Sequence, residues 1–225
     1  MKTNKIALIA YLSCCFLAIV SNIFKLEWLK LFTLPLVLPA LFFYYFTEAK
    51  KVNILICLFL LSNFIGDSLG LMNFENELYY IIPPFFISNL LMVIVLIKNI
   101  EKVKFNLFNA ILLIIIGLFL IYLLSLFLEL FSIEERILQI QVEFFGIVLI
   151  ALGLLASYNI IWKISTSNLF LMMCASCVII SDIFYLIFNF QSQLFVLNSI
   201  HFACQLFSYF FFIKYVLLRE QKLLK

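Results

Sequence analysis

Asp67 and Asp182 each lie within a run of apolar residues long enough to cross a lipid bilayer. The first sits in Leu61-Ser62-Asn63-Phe64-Ile65-Gly66-Asp67-Ser68-Leu69-Gly70, which also carries an amide and two glycines. The second sits in Val178-Ile179-Ile180-Ser181-Asp182-Ile183-Phe184-Tyr185, again directly after a small residue. An ionised Asp in hydrocarbon costs at least ~2.5 kcal/mol on insertion scales, so each is a functional-site candidate. Either one alone is explained equally well by a satisfied hydrogen bond between helices. Two together can do chemistry. Carboxyl groups close to one another in a low dielectric do not both ionise readily, so they share a proton and offer an acid and a carboxylate at once.

The elements that must position them are set by composition. Hydrophobic residues make up 66% of the chain and charged residues 12%, and the mean hydropathy is +1.20. Soluble domains average about 45–50% apolar and about 25% charged, so the chain is that of an integral membrane protein. No segment between its apolar runs is long enough for a separate soluble domain, which leaves one transmembrane domain over residues 1–225. Lys2 and Lys5 followed by an apolar run resemble a signal peptide superficially. The run reaches Phe24, no small-x-small cleavage site ends it, and further spans follow at once, so it reads as a retained first helix. Cys14 follows Tyr11-Leu12-Ser13, a poor lipoprotein signal. The six cysteines all fall in apolar runs. Cys174 and Cys177 have CxxC spacing without a second pair or nearby histidines, so they read as small packing residues and no metal site is expected.

With about 20 apolar residues per span, the expected fold is all-α: a polytopic membrane bundle of eight transmembrane helices. They run approximately Ile6–Phe24, Trp28–Phe46, Val52–Met72, Leu78–Ile97, Phe105–Leu126, Ile137–Ser157, Asn168–Phe190 and Leu194–Leu218. Pro83-Pro84 is expected to break the first turn of the fourth and leave residues 78–82 interfacial, and Pro35 and Pro39 to bend the second. Of the fifteen Lys and Arg residues, only Lys25, Lys30 and Arg136 fall outside if the N-terminus is inside. The positive-inside rule therefore puts both termini in the cytoplasm. The expected location is a bacterial inner (plasma) membrane. The net charge of +3 follows from this topology, and no nucleic-acid partner is expected.

Depth relates the ionisable groups to one another. At 1.5 Å per residue, Asp67 lies about 22 Å and Asp182 about 21 Å from the inner ends of their helices. Glu143 and His201, on helices running inward, lie about 9 Å and about 10 Å below the outer ends. All four share one layer, which points to a polar pocket open to the outer leaflet. Asn63 is one turn before Asp67 on the same face and is placed to orient it. The Ser62, Gly66 and Gly70 stripe beside it lets a neighbouring helix approach closely.

Several short motifs, in order, resemble the YhhN family from the second helix to the eighth. Thr33-Leu34-Pro35-Leu36-Val37-Leu38-Pro39 is similar to its T-K-P-L-x-x-P helix and Gly66-Asp67-Ser68-Leu69 to its G-D-x-x-L element. Phe86-Ile87-Ser88-Asn89 resembles F-x-x-[AS]-H, Ser181-Asp182-Ile183-Phe184 resembles S-D-x-x-[LF], and Phe202-Ala203-Cys204-Gln205 resembles Y-x-A-Q. The chain departs at two positions, with Leu34 in place of Lys and Asn89 in place of His. The characterised members are lysoplasmalogenases. The resemblance therefore implies hydrolysis of the vinyl ether of a lysophospholipid within the bilayer, with Asp67 and Asp182 as catalytic residues. Asn63, Asn89, His201, Gln205 and Glu143 would support or bind substrate, and no cofactor is called for. An intramembrane aspartyl protease would use related chemistry, but Phe64 stands where a G-x-G-D motif needs Gly. The alternative is a non-catalytic carrier of lipids or small molecules, with the polar layer as its binding site and the second helix as a hinge. A scaffold would leave the shared depth unexplained.

Overall fold

The computed structural model describes residues 3–72, 74, 76–100, 106–131 and 136–223. Eight helices follow in order: α1 (Thr3–Ile23), α2 (Glu27–Glu48), α3 (Ile54–Gly70), α4 (Leu78–Lys98), α5 (Leu107–Leu128), α6 (Arg136–Trp162), α7 (Thr166–Phe190) and α8 (Phe195–Leu223). No strand occurs among the described residues. Each expected span has its helix, and seven are long and apolar enough to cross a membrane. The shorter one is α3, whose 17 residues make about 26 Å of helix against a hydrocarbon core of about 30 Å.

The ends differ from the hydropathy reading for local reasons. Asn53 caps α3 by accepting the Leu55 N–H at 3.0 Å, so that helix starts later than its apolar run. Beyond Gly70 the chain turns, and Asn76, with φ of 58°, adopts the left-handed conformation that Asn tolerates before α4 begins. Helices α6 and α8 continue past their apolar stretches through residues 158–162 and 219–223, because backbone hydrogen bonding does not stop where hydrophobicity does. The expected break at Pro83-Pro84 is absent. Helix α4 runs unbroken from Leu78 through both prolines, which membrane helices tolerate when neighbours satisfy the freed carbonyls. Phe105, the expected start of the fifth span, lies outside the described residues.

Hydrogen bonds define the two ends of the bundle. At one, Asn4 near the chain start bonds Glu48 at the end of α2, and Lys222 near the chain end bonds Ser167 at the start of α7. Arg219 donates to the Asn99 carbonyl beyond α4 at the same end. Both ends of the described chain thus lie together, and the α1–α2, α3–α4 and α7–α8 connections lie at the opposite end.

Packing sorts the helices into inner and outer. Helix α8 packs on α7, α1 and α2 and contributes the fully buried Phe212 and Tyr215, which join Tyr11, Tyr45 and Phe59. The Tyr11 hydroxyl donates to the Leu206 carbonyl at 2.6 Å, so this aromatic core has its polar tip satisfied. On α3, Gly66 meets α4 closely: a Cβ there would come within 2.8 Å of Phe85 Cζ. That is the close approach the small-residue stripe implies. Helix α5 is the opposite case. It packs on α6, and Gly117 is its only residue counted as buried. A helix apolar all round with its side chains exposed has lipid as its solvent.

Candidate functional site

The end of the bundle away from the chain termini holds a cavity of about 280 Å³. Gly70 and Leu71, where α3 ends, form part of its wall. Five helices bring polar side chains to it. They are Lys30 from α2, Asn63 and Asp67 from α3, Asn89 from α4, Asp182 and Tyr185 from α7, and His201, Gln205 and Tyr209 from α8. Both expected carboxylates therefore face one space, although they come from helices far apart in sequence.

Asp67 is buried and held from α8. Gln205 Nε2 donates to its Oδ1 at 2.8 Å. The Tyr209 hydroxyl reaches Oδ1 at 3.1 Å and Oδ2 at 3.3 Å. Gln205 Nε2 also donates to the Tyr209 oxygen at 2.9 Å, so the amide supports both the acid and its phenolic partner. Residues 201, 205 and 209 are successive turns of α8, and their spacing of four puts His201, Gln205 and Tyr209 on one face. That spacing was available in the sequence as the signal for Tyr209, which the motif reading passed over.

Asp182 has a different environment. It is partly buried, and its Oδ2 is shut off from solvent with no hydrogen-bond partner among the described residues. The neighbouring Ser181 instead pairs with His201. Its hydroxyl donates to the His201 carbonyl at 3.1 Å and lies 2.9 Å from Nδ1. His201 Nδ1 is also 3.0 Å from the Ser181 carbonyl. A carbonyl oxygen can only accept, so Nδ1 carries the hydrogen, and in the neutral ring Nε2 is the basic nitrogen. The Tyr185 ring lies over the imidazole with centroids 4.7 Å apart. Its hydroxyl donates to Glu77 Oε1 at 3.3 Å.

Two sequence expectations need correction. Glu143 does not join the cavity: it is exposed on α6, whose Val142 and Phe145 line the space instead. At 100° per residue, the neighbour of an inward position points elsewhere, and depth alone cannot reveal that rotation. Asn63 lines the cavity, but its amide donates to the Phe59 carbonyl at 2.8 Å and to Ser88 Oγ at 2.6 Å, on its own helix and α4. Orienting Asp67 falls to Gln205 and Tyr209. Asn89 is buried and lines the cavity as expected.

Lys30 and Glu77 are charged groups that sequence reasoning missed: Lys30 counted only as a basic residue on the outer side, and Glu77 lies in the α3–α4 connection. Lys30 Nζ donates to Asn22 Oδ1 at 3.3 Å and stands 5.1 Å from the Phe202 ring centroid. Glu77, just before α4, lines the same space. Partial burial holds its carboxyl above the usual glutamate range, opposed by the Tyr185 hydrogen bond and the Lys30 charge. The cavity therefore combines two carboxyl groups at depth with a cation and a further carboxyl nearer its end. Comparison with known families, curated proteins and solved structures finds no match for this chain.

Proposed function

We propose that the protein is an intramembrane hydrolase that cleaves the vinyl ether of lysoplasmalogens. One observation carries the reading: Asp67 and Asp182 line a single cavity, one fixed by donors and the other with an unpartnered oxygen. The YhhN-like motifs add that the two acids recur in the expected sequence contexts.

The chemistry suits that pair. The proton of a carboxylic acid adds to the β-carbon of the enol ether, and the π electrons form the new C–H bond, leaving an oxocarbenium ion at the α-carbon and ether oxygen. A carboxylate steadies this cation and takes a proton from water as water's oxygen bonds the α-carbon. The resulting hemiacetal collapses: its hydroxyl proton moves to the ether oxygen, the C–O bond breaks, and a fatty aldehyde and a glycerophospho-alcohol leave. One water is consumed and the pair again holds one proton, now on the carboxyl group that took it from water. The proton belongs to the pair, and neither Asp is assigned a fixed role. His201, hydrogen-bonded beside Asp182, tunes that proton.

The two departures from the family pattern are offset nearby. Lys30 precedes Leu34 by one helical turn, and both line the cavity, so a cation remains available for a lipid phosphate. The imidazole absent at Asn89 is available from His201. A carrier would use the same cavity without chemistry, and the donors that saturate Asp67 favour that second reading.

Purified protein supplied with a vinyl-ether lysolipid should release fatty aldehyde, and the saturated ether of the same lipid should release none. Native protein that yields no aldehyde from choline or ethanolamine forms between about pH 5 and about pH 8 defeats this assignment and leaves the carrier. The accompanying topology, with both termini cytoplasmic, is tested by reporters after residue 223 and in the α3–α4 connection, which should lie on opposite sides.

A further inference from the structure

A second, smaller cavity of about 60 Å³ lies between α5, α6 and α7. Apolar side chains line it, among them Leu123 and Phe127 from α5, Ile150 from α6 and Ile179 from α7. Among the described residues, the one ionisable group at its wall is Asp182. Val142, Phe145, Asp182 and Leu186 line this space and the polar cavity alike, so the two meet across these side chains. Buried water needs two to four polar partners, and an apolar hollow of this kind stays dry and accepts hydrocarbon. On α7 the pocket is lined from Ile179 to Leu186, about 10 Å of helix, alongside the stretch from Val178 to Asn189 that lines the polar cavity. It is walled on one side by α5, the helix that otherwise faces lipid.

We propose that this pocket seats the hydrocarbon chain of a single-chain amphiphile whose polar end occupies the larger cavity. Asp182 then stands where head group and chain join, and the α5 residues Leu123 and Phe127 set which chain lengths fit. The proposal rests on the lipid-site reading above for the nature of the ligand but not on catalysis. The join between polar head and hydrocarbon is where a vinyl ether lies, and the unpartnered oxygen of Asp182 is at that point. Gly146 contributes to the pocket by leaving room for Leu124, whose Cδ1 would lie 2.3 Å from a Cβ placed there.

The probe is a set of saturated alkyl-ether lysophosphocholines from octyl to octadecyl, which undergo no vinyl-ether cleavage, titrated into the full-length protein. Affinity for the native protein should rise with chain length to an optimum and fall beyond it. Leu123→Trp, which fills the pocket from the lipid-facing helix, should weaken the longest ligands by about tenfold while leaving octyl binding near native. Phe127→Ala, which enlarges the pocket, should shift the optimum to longer chains and covers the case in which the Trp variant does not fold. Native protein that binds no member of the series overturns the proposal, as does a folded variant of either kind with a native length profile. Failure of the two readings is distinguishable. Length-dependent binding without aldehyde removes the hydrolase and keeps the pocket; aldehyde release with an unchanged profile in the variants does the reverse.

Discussion

Asp67 and Asp182 face the same cavity from opposite chemical situations. Around Asp67 the α8 stripe supplies donors: Gln205 and Tyr209 bond the carboxyl and each other. Beside Asp182, Ser181 and His201 are occupied with one another, and one carboxyl oxygen has no partner among the described residues. Apolar residues of α5 and α6 complete its surroundings. Buried polar groups in folded proteins are ordinarily satisfied, so an unmatched oxygen calls for an explanation beyond folding. The contrast separates a carboxyl that the fold holds with donors from one whose buried oxygen the fold leaves without a partner among the described residues. The donors that hold one carboxyl come from α8, whereas the other, on α7, borders the apolar pocket.

The largest expected effect tests whether the two ends act as one unit. Asp67→Asn and Asp182→Asn should each lower aldehyde release by about 100-fold or more, because Asn cannot give or take the proton. On the proposed mechanism the double variant should be little worse than the more damaged single one, because either change would remove the shared proton. Losses that multiply would show that the two carboxyl groups work independently, and the comparison would lose its mechanistic content.

Stability should divide the two ends more directly. Asp67→Ala strands the Gln205 and Tyr209 donors in a buried site, which should lower unfolding stability in detergent by about 1–3 kcal/mol. Asp182→Leu replaces an unmatched polar group with an apolar one beside an apolar pocket, and should leave stability unchanged or raise it. The opposite ordering would mean that the restraining and the available carboxyl have been assigned the wrong way round.

Lys30 sharpens the comparison from the cavity's outer part. If it holds a lipid phosphate, Lys30→Met should raise KM by about tenfold, the size of a hydrogen bond to a charged group, with kcat nearly unchanged. A fall in kcat at constant KM would instead place Lys30 with the reacting groups.

Glu77 carries the smallest expected effect. Its carboxyl is held above the usual glutamate range, chiefly by burial. The folded state therefore binds that proton more tightly than the unfolded chain does. The resulting stability is fully present below the unfolded value and is lost as pH rises through the raised one. Glu77→Gln should flatten this part of the stability profile, measured by thermal unfolding across the acid range. An unchanged slope would assign the pH dependence to the deeper carboxyl groups.

Hydropathy was enough to find eight helices, because a bilayer demands long apolar runs and the connections between them are short. It overstated α3, whose cap at Asn53 and turn after Gly70 are local hydrogen-bonding and backbone effects that do not register in hydropathy. The same logic found Asp67, Asp182 and His201, since ionisable groups inside spans are costly enough to stand out in any sequence. What the sequence could not state was rotation. Glu143 shares a depth with the other candidates yet faces outward, while Val142 and Phe145 beside it face in. Asn63 sits one turn from Asp67 yet bonds α4. Lys30, counted only as an outer-side basic residue, lines the cavity, and Tyr209, absent from the motif reading, bonds the Asp67 carboxyl. Depth along a helix follows from counting residues at a fixed rise, so the sequence determines it. The direction a side chain faces follows from how each helix is turned against its neighbours, and that is settled only when α3, α7 and α8 pack together.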